Sequence, residues 1–248
     1  GVDGEAVTDM PSDSKYFITG TTVDEKEPKR AGYDFTGWKK SGDTTDKVYR
    51  GNDNITFNGD DVELIAQWTA KTISVDLKDF VEKQFTMTGS DELANEEEFV
   101  VTVRQTKPEM TPTPSYTGKV KLNKTGTAAF VFESSPKLTY GNAYEFEVEE
   151  TVGSTSGIAY DKTKYTLRLS VVTKTNGGLE VIGEKVTVKN SYTQTYTLTY
   201  DANGGIAPVP ATSTGHKTGD NVTLNYTTYQ PTHEQVGGKD VYLIGWSL

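Results

Sequence analysis

The sequence predicts an all-β chain built as a central sandwich between two smaller modules, and three observations carry that prediction. Tyrosine (14), phenylalanine (9), valine and threonine dominate, with 24 glycines between them; β-branched and aromatic side chains suit a pleated, half-buried surface, and Gly, Asn and Asp supply turns. Helical periodicity is nearly absent, a single turn at Ser90-Asp91-Glu92-Leu93-Ala94-Asn95 being the best helix candidate, with Ser90 as its cap. Only 34% of the 248 residues are hydrophobic. Small domains bury a smaller share of their chain, so several thin units fit better than one thick core.

The first element in order is a module with a recurring partner. After an expected turn at Asp3-Gly4, Met10-Pro11-Ser12 recurs as Val209-Pro210-Ala211, Thr19-Gly20 as Thr218-Gly219, and Val23 as Val222, all at one offset. Gly37-Trp38 recurs as Gly245-Trp246 at a longer offset, so the second copy carries an insertion. The first copy closes with a strand over 62–68, in which Val62, Leu64, Ala66 and Trp68 share one face. The second opens with a strand over 196–200 and a turn at Asn203-Gly204, a pair suited to the positive φ angles of a type I′ hairpin. One copy lacks its first strand and the other its last, as expected of a piece cut from a longer array.

Between the copies lies a series of strands joined by turns, expected at Ile73–Leu77, Phe99–Val103, Ala128–Phe132, Tyr144–Glu150, Tyr165–Val172 and Lys185–Asn190. Short strands at this spacing predict a sandwich. The run from Lys107 to Pro114 holds three prolines, which remove ladder donors and place an exposed loop there. The expected divisions are residues 1–70, 71–192 and 193–248.

Two strands break the alternation rule. In Tyr144–Glu150, the apolar Tyr144, Phe146 and Val148 point one way, and Glu150 falls on their face. In Lys185–Asn190, Val186 and Val188 point inward and Asn190 continues their row. Polar groups ending inward-facing rows are costly unless paired, or unless the strand has reached the rim.

Composition closes several function classes. Without cysteine there is no disulfide, thiol nucleophile or thiolate metal site. A net charge of −10 opposes binding to nucleic acid phosphates. No apolar run approaches the roughly 20 residues of a membrane span. His233-Glu234 lacks the second histidine of a zinc-protease motif, and Gly153-Ser154-Thr155-Ser156-Gly157 has threonine where a nucleophile elbow needs serine. Asp53, Asp60 and Asp61 lack the spacing of a calcium loop. The expectation is no enzyme, no cofactor and no metal. A rival reading is a carbohydrate- or host-ligand-binding module, in which Trp38, Trp68 and Trp246 stack on sugar rings; recurrence of Trp38 as Trp246 favours core packing instead.

Two resemblances add to this. The combination YTLTYDANGG at 196–205, GYDFTGWKK at 32–40 and ELIAQWTA at 63–70 resembles the Listeria–Bacteroides repeat of the internalin B type, covering 1–70 and 193–248 as partial modules. Such repeats are small β-grasp-like units strung along bacterial surface proteins, so neighbouring repeats of the same polypeptide are the implied partners. The strand ending in Glu150, the turn Gly157-Ile158-Ala159-Tyr160-Asp161, and the final Val188-Lys189-Asn190-Ser191-Tyr192 resemble the streptococcal pilin isopeptide-linkage domain. That resemblance implies an immunoglobulin-like sandwich in an extracellular stalk or adhesin at the bacterial surface or cell wall. It also implies an internal amide between a lysine on the first strand and Asn190, with Glu150 as the catalytic acid that polarises the Asn carbonyl and shuttles protons. By parity with Ile73 and Val75 the lysine position falls on Leu77, which leaves Lys78, if a bulge shifts the register, or Lys71, at the strand mouth, as donor.

Overall fold

The computed structural model describes residues 6–14, 20–206, 208–224 and 228–246; the turn expected at Asp3-Gly4 lies outside them. Nearly all regular structure is strand, and the only helical element among these residues is one 3₁₀ turn. The segment at Ser90–Asn95 is not helical: the Ser90 hydroxyl donates to Glu92 O instead of capping a helix.

The first module contains β1 (Val7–Thr8), β2 (Gly20–Thr22), β3 (Lys29–Arg30), β4 (Tyr33–Lys40), β5 (Asn54–Thr56) and β6 (Leu64–Ala70). They pair antiparallel as β1–β3, β2–β5 and β4–β6. Val23, Trp38, Tyr49 and Ile55 form its small core, and Val62, Leu64 and Ala66 pack on it from the predicted face of the closing strand. Trp68 meets the Phe35 ring edge-on at 5.6 Å.

The sandwich follows without slack. In β7 (Thr72–Ser74) the chain pairs with β13 (Lys137–Thr139). A 3₁₀ turn at Leu77–Asp79 comes next, and its Asp76 cap accepts from Lys78 N. Then come β8 (Val81–Thr88), β9 (Glu97–Lys107), β10 (Ser115–Leu122), β11 (Gly126–Ala129) and β12 (Val131–Phe132). After β13 the chain adds β14 (Ala143–Glu150), β15 (Ile158–Ala159), β16 (Tyr165–Thr173), β17 (Leu179–Gly183) and β18 (Val186–Thr193). One sheet has the order β12-β10-β9-β14-β16-β17 and the other β11-β8-β18-β15.

Alternation explains how the sheets face each other. Val81, Phe85, Val186 and Val188 from the smaller sheet meet Phe99, Val101, Val103, Phe146, Val148, Leu167 and Leu169 from the larger, all buried in one core. The expected strand Ala128–Phe132 splits at the buried Phe130, so that β11 joins one sheet and β12 the other. The proline-containing segment between β9 and β10 is an exposed loop, closed by Gln105 N donating to Pro114 O at 2.9 Å. β8 and the last strand of the sandwich, β18, lie side by side and pair in parallel, with Val81 opposite Val186 and Phe85 opposite Asn190.

Beyond the sandwich, β19 (Tyr196–Leu198) pairs with β20 (Ser213–His216). Asn203 and Gly204 both have positive φ, as the hairpin signal requires. The repeated Gly-Trp pairs share a backbone feature too. Gly37 (φ 131°) and Gly245 (φ 150°) both lie in a region open to glycine.

Candidate functional site

The three inward rows of β8, β14 and β18 each place one polar residue among apolar ones. On β8, Val81 and Phe85 flank Lys83, and all three are fully buried. On β14, Glu150 ends the row Tyr144, Phe146, Val148; on β18, Asn190 follows Val186 and Val188. Glu150 and Asn190 are each only 4% exposed. The rim, where polar ends would meet water, is therefore not their location; they are paired with each other and with a lysine.

Lys83 Nζ donates to Glu150 Oε1. The same carboxylate oxygen accepts from Asn190 Nδ2 at 3.1 Å. The main-chain N–H of Asp161 donates to Asn190 Oδ1 at 2.8 Å and to Glu150 Oε2 at 3.1 Å. The walls are aromatic: Lys83 Nζ sits 4.4 Å from the centroid of the Phe99 ring, which packs against Phe85 and Tyr160. Burial pushes the Lys83 ammonium below the usual lysine range, and the Glu150 and Asp161 charges oppose that shift only in part.

The loop supplying Asp161 is shaped by Gly157 and Tyr160. Gly157 has φ 83°, and a Cβ there would lie 2.7 Å from the Tyr192 ring. The Tyr160 hydroxyl donates to Glu97 Oε1 at 2.5 Å. Asp161 itself is held by three donors: Thr163 N to Oδ1 at 2.9 Å, and Lys189 N (2.9 Å) and the Tyr165 hydroxyl (2.6 Å) to Oδ2. Burial raises its pKa, but these bonds outweigh it and hold the carboxyl down at about 2.

Glu150 and Asn190 thus meet, but neither expected lysine joins them. Lys78 is 56% exposed and pairs with Asp76 at 2.5 Å. The 3₁₀ turn is the physical reason, because it buries Leu77 and turns Lys78 outward. Lys71 pairs with Asp34 at 3.6 Å on the surface. The lysine that meets the pair is Lys83. Its signal was in the sequence, since Val81, Lys83, Phe85 and Met87 alternate as Glu150 and Asn190 do with their own neighbours. A second correction concerns Asn190 Oδ1, whose hydrogen bond comes from Asp161 N–H and not from Glu150.

Such an arrangement suits amide exchange. A neutral amine beside a carboxamide, with a carboxyl group touching both nitrogens, can form a new amide and release ammonia. Elsewhere the catalytic and lectin candidates find less support. Trp38 is buried in the first module's core, and Trp246 packs edge-on against Tyr200 at 4.9 Å. His216 Nε2 lies 2.7 Å from Ser213 Oγ on the same short strand, and His233 Nδ1 contacts the neighbouring Glu234 O. Among the described residues no cluster of three or more His, Asp or Glu side chains could hold a metal ion, and no helix is long and apolar enough to cross a membrane.

Comparison with known families gives two matches. The family described as the Spy0128-like isopeptide containing domain matches residues 68–201. The Listeria-Bacteroides repeat domain matches residues 3–67. No curated protein matches the chain.

Proposed function

Because the chain belongs to the Spy0128-like isopeptide containing domain family, we propose that Lys83 and Asn190 become joined by an intramolecular amide, with Glu150 moving the protons. Both matched families are structural domains of surface proteins rather than enzymes, so the chain is of the cell-surface, pilus type. Within that class, the proposed role is an extracellular stalk or adhesion segment that extends from the bacterial surface or cell wall. It has three β modules in series over 1–70, 71–192 and 193–248, packed against neighbouring repeats of the same polypeptide. The buried contact of Lys83, Glu150 and Asn190 is the observation that carries the reading.

The chemistry follows from burial. The lowered pKa of Lys83 makes the neutral amine accessible, its proton passing to Glu150 along their hydrogen bond. The amine attacks Asn190 Cγ, a proton is relayed through Glu150 to Nδ2, and ammonia leaves. Glu150 works once, on its own chain.

Intact mass of the unfolded chain tests this. The wild-type chain is expected to be lighter than its sequence by one ammonia. Glu150→Ala and Lys83→Ala should regain the full mass, whereas Lys78→Ala and Lys71→Ala should still lose it. A wild-type chain at full mass would refute the bond, and an unlinked Lys78→Ala chain would refute the choice of donor.

A further inference from the structure

The carbonyl to be attacked has a donor that the proton-transfer scheme leaves unused. Asp161 N–H points at Asn190 Oδ1 from 2.8 Å. A main-chain N–H can only donate, so the atom facing it must be oxygen, and this decides which way the Asn190 amide is turned. Its amino group then faces Glu150 Oε1, an acceptor. The opposite orientation would set an amino group against an N–H and a carbonyl against a carboxylate. The present orientation therefore aims the leaving nitrogen at the group that relays its proton.

The Asp161 carboxylate holds that N–H in place. Through Lys189 N it is tied to β18 at the residue next to Asn190, through the Tyr165 hydroxyl to the start of β16, and through Thr163 N to its own turn. Donor and acceptor are thus fixed to each other by a short path through one side chain.

We infer that Asp161 governs the bond-forming step in two ways: its main-chain N–H stabilises the negative charge that develops on Asn190 Oδ1, and its carboxylate positions that N–H. This rests on the Lys83–Asn190 reading above. The electrons balance as follows. Lys83 gives one proton to Glu150, and its free pair forms the bond to Asn190 Cγ. The carbonyl π pair moves onto Oδ1, facing Asp161 N–H. Glu150 then donates to Nδ2 and takes a proton from the attacking nitrogen. As the π pair returns, the Cγ–Nδ2 bond breaks and ammonia departs, leaving Glu150 protonated.

Deleting one donor of this type slows acyl transfer by about 10²–10³-fold. Loosening it by Asp161→Ala is expected to act near the lower end, about 10²-fold. The full chain is made in a cell-free system, synthesis is stopped, and samples are quenched in acidic denaturant at intervals for intact mass. The parent should lose ammonia fastest, Asp161→Asn more slowly, since it keeps one acceptor oxygen, and Asp161→Ala slowest. In the unlinkable Lys83→Met chain, the Asn190 ¹³Cγ resonance should move when Asp161→Ala is added, reporting the lost carbonyl hydrogen bond. An Asp161→Ala chain that melts lower, yet links at the parent rate with an unmoved Asn190 resonance, overturns the inference and leaves the bond itself standing. If the alanine variant does not fold, an Asp161→Asn chain linking at the parent rate overturns it equally. A parent chain that never loses ammonia overturns the bond and this inference together.

Discussion

Replacing Asn190 by alanine removes the acceptor and leaves the Lys83–Glu150 pair in place. Asp161 N–H keeps Glu150 Oε2 as a partner, so no buried donor is orphaned. The tie lost would close a loop from Lys83 to Asn190. For about 107 residues the chain-entropy relation gives about 4.8 kcal/mol at 25 °C. The hydrogen bonds of the lost amide add about 1 kcal/mol. For a sandwich of about 120 residues the unfolding entropy is about 0.25 kcal/mol/K, so a loss of 5–6 kcal/mol lowers the melting temperature by about 20 °C. Calorimetry of the two chains in one buffer, with the linked and unlinked states verified by mass, measures the difference. Transitions within about 5 °C of each other would refute the reasoning, because loop closure would then not be what the bond contributes.

Three further outcomes follow from the geometry. Gly32→Ala should disturb the junction between first module and sandwich, because φ is 76° and the new Cβ would lie 2.3 Å from the Tyr140 ring. A cost of about 1–3 kcal/mol is expected, seen as faster proteolysis near the junction with ammonia loss unchanged; an unaltered cleavage pattern would mean the ring yields freely. Phe146→Ala empties a fully buried site in β14 and should cost about 3–5 kcal/mol in denaturant unfolding, a loss below 1 kcal/mol contradicting the packing described. Asp161 titrates at about 2 when folded against an ordinary 3.8. A depressed carboxyl adds stability that is present above the ordinary value and disappears as pH falls toward 2. The Asn190→Ala chain should therefore lose about 2 kcal/mol of folding stability as pH falls over that acid range, and Asp161→Asn should abolish this component.

The sequence made the sandwich legible because a buried face writes period 2 into each strand, and the same rule exposed Glu150 and Asn190 as polar residues on apolar rows. It misled about the lysine for a related reason. Ile73, Val75 and Leu77 alternate as well as any strand, yet the chain leaves β7 after Ser74 and forms a 3₁₀ turn that buries Leu77. Periodicity reports which side chains face inward, not whether the backbone between them is paired. The strand that pairs with β18 is β8; it carries Lys83 in its row, and a charge inside an apolar row reads as a break in the pattern. Nothing local marks Asp161 N–H as a donor to Asn190, since the contact joins a loop and a strand 29 residues apart. The split of Ala128–Phe132 between two sheets was hidden likewise, because Phe130 looks the same whether a strand continues or crosses over.

The parallel pairing of β8 with β18 bears on what a protease could accomplish. The exposed loop between β9 and β10 is the natural place for a cut. In an untied sandwich that cut would yield two fragments held only by noncovalent strand pairing and packing. With Lys83 and Asn190 joined, the cut falls inside the covalent ring, and both halves remain one molecule under denaturing conditions. Everything from Gln84 to Lys189 then lies on a side branch of the covalent path. With that bond formed, the path from the first module to the last would run through β8, across one amide and out along β18, so continuity from end to end would survive damage anywhere in the branch.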